Sequence, residues 1–287
     1  MPNSRQLRHL RKNNKAISPA ISTVILTSCI VVLILVALAF ANGYLNTQLA
    51  TNEFNAMQQS MQTVGLQTDD VAWTMGRTQT IKYASQYGEV RFESLALNYS
   101  VYADTGNGYG NTPVASYAVG AILFNMPTYS YSMGNNYFAN VFPTSNSSFL
   151  QTGTTAPICH VFVIEKSPMN DGNFIRIVVA PSVRLITSTM TSGGVNTNYF
   201  RFYLSVLNAG QAPRYSQSIT LMGNSTSVLT EQNAQKIKIV LSFPKASLGF
   251  DNSFFNFKSL SQEVVMPSGS VAQVYTGSVI VSLGVWA

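Results

Sequence analysis

The residue types that most often carry out chemistry are few in this sequence, and their spacing matches no familiar active site. Cys159 and His160 are adjacent, and neighbours in a β-strand point to opposite faces of the sheet. The adjacency therefore argues against a Cys–His dyad, and a zinc site would need further ligands. We interpret His160 as a strand residue and Cys159 as a small buried thiol. Asp69 and Asp70 are the one pair of adjacent carboxylates, and we predict a solvated helix end there.

The glycine-rich segment 106–110 (GNGYG) has the composition of a phosphate-binding loop but not its context. It precedes no helical pattern and contains no lysine, which a phosphate loop needs. The six glutamates are scattered without a signature spacing. We therefore expect no catalytic residue, no metal site and no cofactor, and we predict that the protein is not an enzyme.

Three asparagines, Asn98, Asn146 and Asn224, each begin an Asn-X-Ser/Thr sequon. Such sequons accept N-linked sugar when they are exported and exposed. Asn146 and Asn224 fall in predicted loops, whereas Asn98 lies inside a predicted strand. All three are candidates for N-glycosylation, and the two in predicted loops are better placed.

The element that must position the rest is an apolar run, residues 17–41, with no charged side chain. As a helix it would be ~37 Å long, enough to cross a ~30 Å hydrocarbon core. The residues before it are mostly polar, contain no acid and include five basic side chains: Arg5, Arg8, Arg11, Lys12 and Lys15. Basic flanks stay on the cytoplasmic side of a membrane. The sequence thus predicts a membrane helix with residues 1–15 inside and residues 42–287 exported.

Charge and cysteine content argue against a nucleic-acid-binding protein and against a protein stabilised by disulfides. The net charge is +6, but the basic leader holds 5 of the 17 Lys and Arg residues and none of the 11 acids, which leaves 12 − 11 = +1. No basic patch typical of a nucleic-acid-binding protein remains, so we expect no nucleic-acid partner. Cys29 lies in the apolar run, so Cys159 has no disulfide partner in the exported part.

Three fates of the apolar run are open. A secretory signal could be cut after Ala41, although cleavable apolar cores usually span only ~7–15 residues. An uncut single-pass anchor would keep residue 1. A cut on the cytoplasmic side would leave the helix on the mature protein. The local residues favour this last fate, because a basic and a small residue, Lys15 and Ala16, precede the run, and Pro19 stands where a helix start tolerates proline.

The segment KAISPAISTVIL, residues 15–26, resembles the processing region of archaeal type IV pilins, which carry a class III signal peptide. The resemblance implies a cut by a prepilin peptidase between Ala16 and Ile17, so that Lys15, Ala16 and Ile17 form the processing site. A cut one residue earlier is the alternative. Bacterial type IV pilins carry glutamate five residues into the mature chain, and Ile21 at that position fits the archaeal branch.

This resemblance also implies what the helix does and what it contacts. It implies a helical homopolymer of identical or related pilin subunits, built by pilus assembly machinery and used in functions such as cell adhesion. Membrane lipid would surround the helix before assembly. The expected location is the cell membrane first, with the head outside, and then an extracellular surface filament.

The helix is predicted to continue beyond the apolar run, to about residue 72. An apolar stripe recurs at helical spacing along this second half: Phe54, Met57, Met61, Val64 and Val71. We expect this stripe to pack on a globular domain. Gly43 or Gly65 could kink or end the helix, and Gly76 is a candidate C-cap.

From residue 77 onward, apolar and polar residues alternate with the period of β-strands. The predicted strands are 78–83, 89–102, 116–124, 160–166, 173–180, 183–191, 198–207, 236–243, 261–266 and 271–283. Long loops are predicted at 104–113, 127–157 and 248–257. The fold class is therefore α+β: a long N-terminal hydrophobic helix followed by a mainly antiparallel, β-sandwich-type head. The predicted divisions are the leader 1–16, the assembly helix 17–72 and the head 77–287.

The sequence thus predicts a structural subunit of an archaeal type IV pilus-like filament. Two other classes of protein remain open. One is a single-pass anchored extracellular protein that binds a ligand or carbohydrate without polymerising. The other is a soluble secreted binding protein that begins near Asn42.

Overall fold

A single helix, α1 (Pro19–Ala72), begins the part of the chain that the structure describes. The structure is a computed structural model and describes residues 19–110, 112–144, 148–211 and 217–284. The helix continues through Gly43 and Gly65, so neither glycine ends it. Gly76, the expected C-cap, instead lies in the turn after the helix with φ 77°, and its N–H donates to the Gly223 carbonyl oxygen over 2.8 Å.

Thirteen strands follow in the described residues, and the sequence predicted ten of them to within three residues at each end. They are β1 (Thr78–Lys82), β2 (Glu89–Asp104), β3 (Ala115–Pro127), β4 (Tyr137–Phe142), β5 (Leu150–Thr152), β6 (Cys159–Glu165), β7 (Phe174–Pro181), β8 (Val183–Ser192), β9 (Val195–Ala209), β10 (Ser218–Glu231), β11 (Lys236–Ser242), β12 (Ser261–Val265) and β13 (Val271–Gly284). A 3-10 turn (Ala246–Leu248) and a short helix, α2 (Asn252–Phe255), lie between β11 and β12.

The strands form two mainly antiparallel sheets, which confirms the predicted α+β class with a sheet-rich head. The six-stranded sheet has the order β1-β10-β13-β9-β8-β5, and the seven-stranded sheet the order β12-β11-β2-β3-β7-β6-β4. Among the strand pairs of the described residues, only β13–β9 and β5–β8 are parallel.

Two hydrophobic cores hold the head together. The first contains side chains of both sheets, including Phe162 and Phe202. The second joins the C-terminal part of α1 to both sheets. Strand β6 is buried at every position because its two faces belong to different cores. A strand covered on both faces is apolar throughout, which explains the uninterrupted VFVI of residues 161–164.

Three strands were missed, and each has a physical reason. Strands β4 and β5 lie in the predicted loop 127–157, whose Asn, Ser and Thr content is typical of a loop. These two short strands form because they pair with β6 and β8. Strand β10 contains a bulge between Gly223 and Ser225. The residues GNST at that bulge have the composition of a turn, but pairing with β13 keeps them extended.

Candidate functional site: the apolar helix and its anchorage

The first part of α1 presents a long, mainly apolar surface. The chain divides into two units at Leu49–Ala50, and every residue from 21 to 49 is exposed. The most exposed large apolar side chains include Leu33 at 67% and Phe40 at 77%. An apolar surface of this extent indicates contact with membrane or protein. Among the described helices, only α1 is long and apolar enough to cross a membrane. A membrane anchor and a signal sequence both have this property.

Three hydroxyl groups of this segment, those of Thr27, Ser28 and Thr47, bond to backbone carbonyl oxygens of their own helix. The Thr27 hydroxyl donates to the Thr23 carbonyl oxygen over 2.9 Å, and the Ser28 hydroxyl donates to the Val24 carbonyl oxygen over 2.7 Å. An unpaired hydroxyl in an apolar environment would be costly. These hydroxyl donors therefore stay paired when the segment enters lipid or a bundle of helices.

Glu53 is the first charged side chain of the helix, and it is bound by the loop between β1 and β2. One carboxylate oxygen accepts from the Ser85 hydroxyl at 2.6 Å and from the Gly88 N–H at 3.1 Å. The other accepts from the Gln86 N–H at 2.7 Å, and the Tyr87 N–H reaches both oxygens. The charge is thus fully hydrogen-bonded and fixes the helix to the head.

The predicted apolar stripe is buried, as its spacing indicated. Its members are all at most 2% exposed: Phe54, Met57, Met61, Val64 and Val71. Gly65 lies beside this stripe, and a Cβ there would come 2.8 Å from the Cγ2 atom of Val161. The helix thus lies so close to strand β6 at Gly65 that a larger residue at this position would push the Val161 side chain or the helix aside.

Asp69 pairs with Arg184 and is not simply solvated. Two oxygens of Asp69 accept from two nitrogens of Arg184 at 2.7 and 3.0 Å, and the Trp73 indole N–H donates to Asp69 over 2.8 Å. The expected solvated helix end therefore fits Asp70, which forms an exposed ion pair with Arg77. At Asp69 the expectation was wrong, because an arginine from a strand distant in sequence reaches the helix.

Two glycines of the six-stranded sheet receive the end of the helix. A Cβ on Gly223 would lie 2.3 Å from the Thr74 carbonyl oxygen, and a Cβ on Gly277 would lie 2.3 Å from that of Ala72. Backbone therefore packs directly on backbone at this place, and only glycine permits the approach.

Cys159 and His160 are the buried strand residues that the sequence predicted. They are 1% and 3% exposed, and they lie on opposite faces of β6, with Cys159 in the helix-side core and His160 edge-on to Phe257. Burial raises the pKa of the Cys159 thiol to about 12 and lowers the pKa of His160 to about 4. Both groups are therefore neutral near pH 7, and they face away from each other.

The glycine-rich segment binds its own chain. The N–H groups of Gly106 and Gly108 donate to one carboxylate oxygen of Asp104, at 2.8 and 2.9 Å. These two amides, which a phosphate loop would direct at an anion, are thus occupied. Among the described residues, no group of three or more His, Cys, Asp or Glu side chains is arranged to hold a metal ion.

The two described sequons occupy different environments. Asn98 lies in β2, as predicted. Its amide oxygen accepts from the Ser116 hydroxyl at 3.0 Å, and its amide nitrogen donates to the hydroxyls of Ser100 and Ser242. Asn224 is exposed, but it lies at the bulge of β10 and not in the predicted loop.

Four residues of the predicted sites lie outside the described residues: Lys15, Ala16 and Ile17 of the processing site, and Asn146 of the second sequon. The chain matches no protein family, no curated protein and no solved structure with which it was compared.

Proposed function

We propose that the protein is a subunit of a surface filament of the archaeal type IV pilus kind, assembled through α1. The observation that carries the proposal is the division of this helix into two surfaces. Residues 21–49 are exposed and uncharged, whereas residues 50–72 carry a buried stripe and hydrogen-bonded charges that fix them to the head. In such a helix, residues 21–49 can pack against other helices while residues 50–72 stay attached to the head.

Removal of the leader would act as the chemical switch for assembly. The leader carries five basic charges, and no charged residue occurs from residue 17 to residue 52. Burying unpaired charges in a filament core would be heavily unfavourable. A cut between Ala16 and Ile17 removes them, after which neighbouring helices can replace lipid around the apolar segment.

The proposed partners follow from this sequence of events. They are membrane lipid before assembly, a prepilin peptidase with its assembly machinery, and further copies of this or a related subunit. The subunit waits in the cell membrane with its head outside and then enters an extracellular filament. Export would also expose the sequon at Asn224 to glycosylation.

A second candidate function is a single-pass anchored binding protein, and the length of the apolar segment favours it equally. The same helix would cross the membrane once and would keep its leader. The head would then work as a monomer. The two functions differ in the N-terminal residue and in whether the subunits polymerise.

Mass spectrometry of the first peptide of the native protein distinguishes these functions. We expect a start at Ile17 or Ala16, together with filaments visible by electron microscopy. A start at Met1 would mean an anchor, and a start at Asn42 would mean a soluble secreted protein. The variant Ala16→Glu should block both the cut and the filaments. Intact filaments from the uncut variant would contradict the switch.

A further inference from the structure

A cavity of about 340 Å³ lies where the edge of the seven-stranded sheet meets the short helix α2. Part of its lining is apolar and comes from Phe138 of β4 and Ile164 of β6, which are paired directly across the two strands. The Phe138 ring also stacks on Phe162 with 5.3 Å between ring centroids. This packing fixes the apolar part of the lining, and the volume falls within the ~300–1,000 Å³ range of small-molecule sites.

The polar part of the lining offers hydrogen bonds but no free charge. Lys166 lines the cavity, and its ammonium group is already paired with Asp251 at 3.2 Å and bonded to the Ser253 hydroxyl. The side chains of Asn136 and Asn256 also line the cavity and are exposed. Neither amide makes a hydrogen bond to another described residue, so both can bind a ligand.

The two asparagines stand on turns that the head holds in place. Both have left-handed backbones, with φ of 67° at Asn136 and 55° at Asn256. The turn before Asn136 is fixed by the buried carboxylate of Glu165, which accepts from the Met133 N–H at 2.7 Å. Asn256 ends α2, whose first turn is capped by Asp251. The backbone positions that carry the two amides are therefore fixed before any ligand arrives, so only side-chain rotation is lost on binding.

We propose that this cavity binds a neutral carbohydrate. A pyranose ring has one apolar C–H face and a rim of hydroxyl groups, and the cavity has a fixed apolar wall beside free amide donors and acceptors. An anionic ligand fits less well, because the only cation in the lining is already neutralised by Asp251. The site does not depend on polymerisation, since the head carries it whether it is assembled or anchored.

The test uses the full chain in a zwitterionic detergent without a sugar headgroup, because an alkyl glycoside would compete for the cavity. The probes are glucose, galactose, mannose and N-acetylglucosamine with their β-linked disaccharides, titrated by saturation-transfer NMR. The variant Asn136→Gly with Asn256→Gly removes both free amides, and glycine accepts the left-handed backbone without strain. Asn233→Gly is the matched control, because Asn233 is also exposed and left-handed but lies outside the cavity lining.

We expect saturable binding of at least one of these sugars by the unaltered chain and by the Asn233→Gly control. The double glycine variant should bind at least tenfold more weakly, since two hydrogen bonds are lost. The proposal is wrong if the unaltered chain binds none of the sugars, or if the double variant binds them as tightly as the control. Neither result bears on filament assembly, which is read out separately by electron microscopy.

Discussion

Acidic side chains in this protein mainly hold loops and elements in place. The carboxylates of Glu53, Asp104, Glu165 and Asp251 each accept from two or more backbone N–H groups. In a chain in which only 10% of the residues are charged, these carboxylates order turns that would otherwise lose backbone partners. Charged groups that replace water for several donors at once are also the ones whose removal is most destabilising.

Replacing Glu53 with Gln should therefore weaken the attachment of the helix to the head. An amide has one oxygen where the carboxylate has two, so backbone donors of the loop at 85–88 would lose their acceptor. We expect a loss of about 1–3 kcal/mol in the free energy of unfolding. Urea unfolding of the full chain in detergent, followed by near-UV circular dichroism, measures it. The control is Glu89→Gln, whose side chain is 60% exposed. An equal effect of both variants would contradict the role of Glu53.

The buried ion pair of Arg176 and Asp171 predicts how stability depends on pH. The Arg176 side chain is 1% exposed and forms two hydrogen bonds to Asp171, at 2.8 and 2.6 Å. Partial burial raises the pKa of Asp171, but the hydrogen bonds and charge of Arg176 outweigh it, so that the pKa lies below its usual value. The stabilisation is then complete above the unfolded-state pKa of about 3.9 and is lost as the pH falls through the lower folded-state pKa.

Asp171→Asn should consequently destabilise the head by about 2–3 kcal/mol at pH 7, because it leaves the buried arginine without its counter-charge. The difference between the variant and the unaltered chain should shrink as the pH falls below about 4, where Asp171 is protonated first in the unfolded chain and then, at its lower pKa, in the folded chain. Urea midpoints measured from pH 7 to pH 2.5 follow this change. A difference that stays constant over this range would show that the charge of Asp171 is not the cause.

Helix α1 contains two glycines whose surroundings differ completely. A Cβ on Gly43 would meet nothing within 4 Å, whereas a Cβ on Gly65 would meet the buried Val161 at 2.8 Å. Alanine favours a helix over glycine by about 1 kcal/mol. Gly65→Ala should nevertheless lower the stability of the head by about 1–2 kcal/mol, since overpacking a stiff β-branched neighbour outweighs that gain.

Thermal unfolding of the two alanine variants in detergent provides the comparison. Gly43→Ala is the matched control and should leave the melting temperature of the head unchanged, because the buried residues of the head begin at Ala50. If Gly65→Ala melted at or above the temperature of the unaltered chain, the claim that helix and sheet approach too closely at this glycine for a Cβ would be contradicted.

The elements with a strong period were predictable from sequence, and those fixed by distant pairing were not. The helix stripe and most of the ten predicted strands repeat an apolar residue at a regular spacing, and strand β6 is a short apolar run, so each could be recognised from its own residues alone. Strand β10 lacks such a repeat near Gly223, because its bulge and the approach of the helix end demand glycine there. The contacts of Glu53 were equally hidden, since its partners are mostly backbone N–H groups, which every residue except proline supplies.

At the scale of the whole molecule, the proposed assembly surface was visible in the sequence, whereas the cavity proposed to bind carbohydrate was not. The apolar segment is continuous and needs only a count of uncharged residues to be found. The cavity combines residues near positions 136, 165 and 255, which only the pairing of β4 with β6 and the packing of α2 bring together. Residues of two sides of this cavity lie in the predicted long loops 127–157 and 248–257, but nothing in the sequence indicates that these two segments are neighbours in the fold.

A charge in the middle of the apolar segment should separate folding of the head from assembly of the filament. Val32→Glu adds one carboxylate to a surface that is exposed in the subunit and would be buried among helices in the proposed filament. A single charge near the centre of a membrane helix costs about 3 kcal/mol on insertion scales, which a span of this hydrophobicity tolerates. We expect membrane-bound subunits with an unchanged melting temperature of the head but no filaments on the cell surface. Val32→Ala should assemble normally, and filaments of ordinary number from Val32→Glu would contradict assembly through this helix.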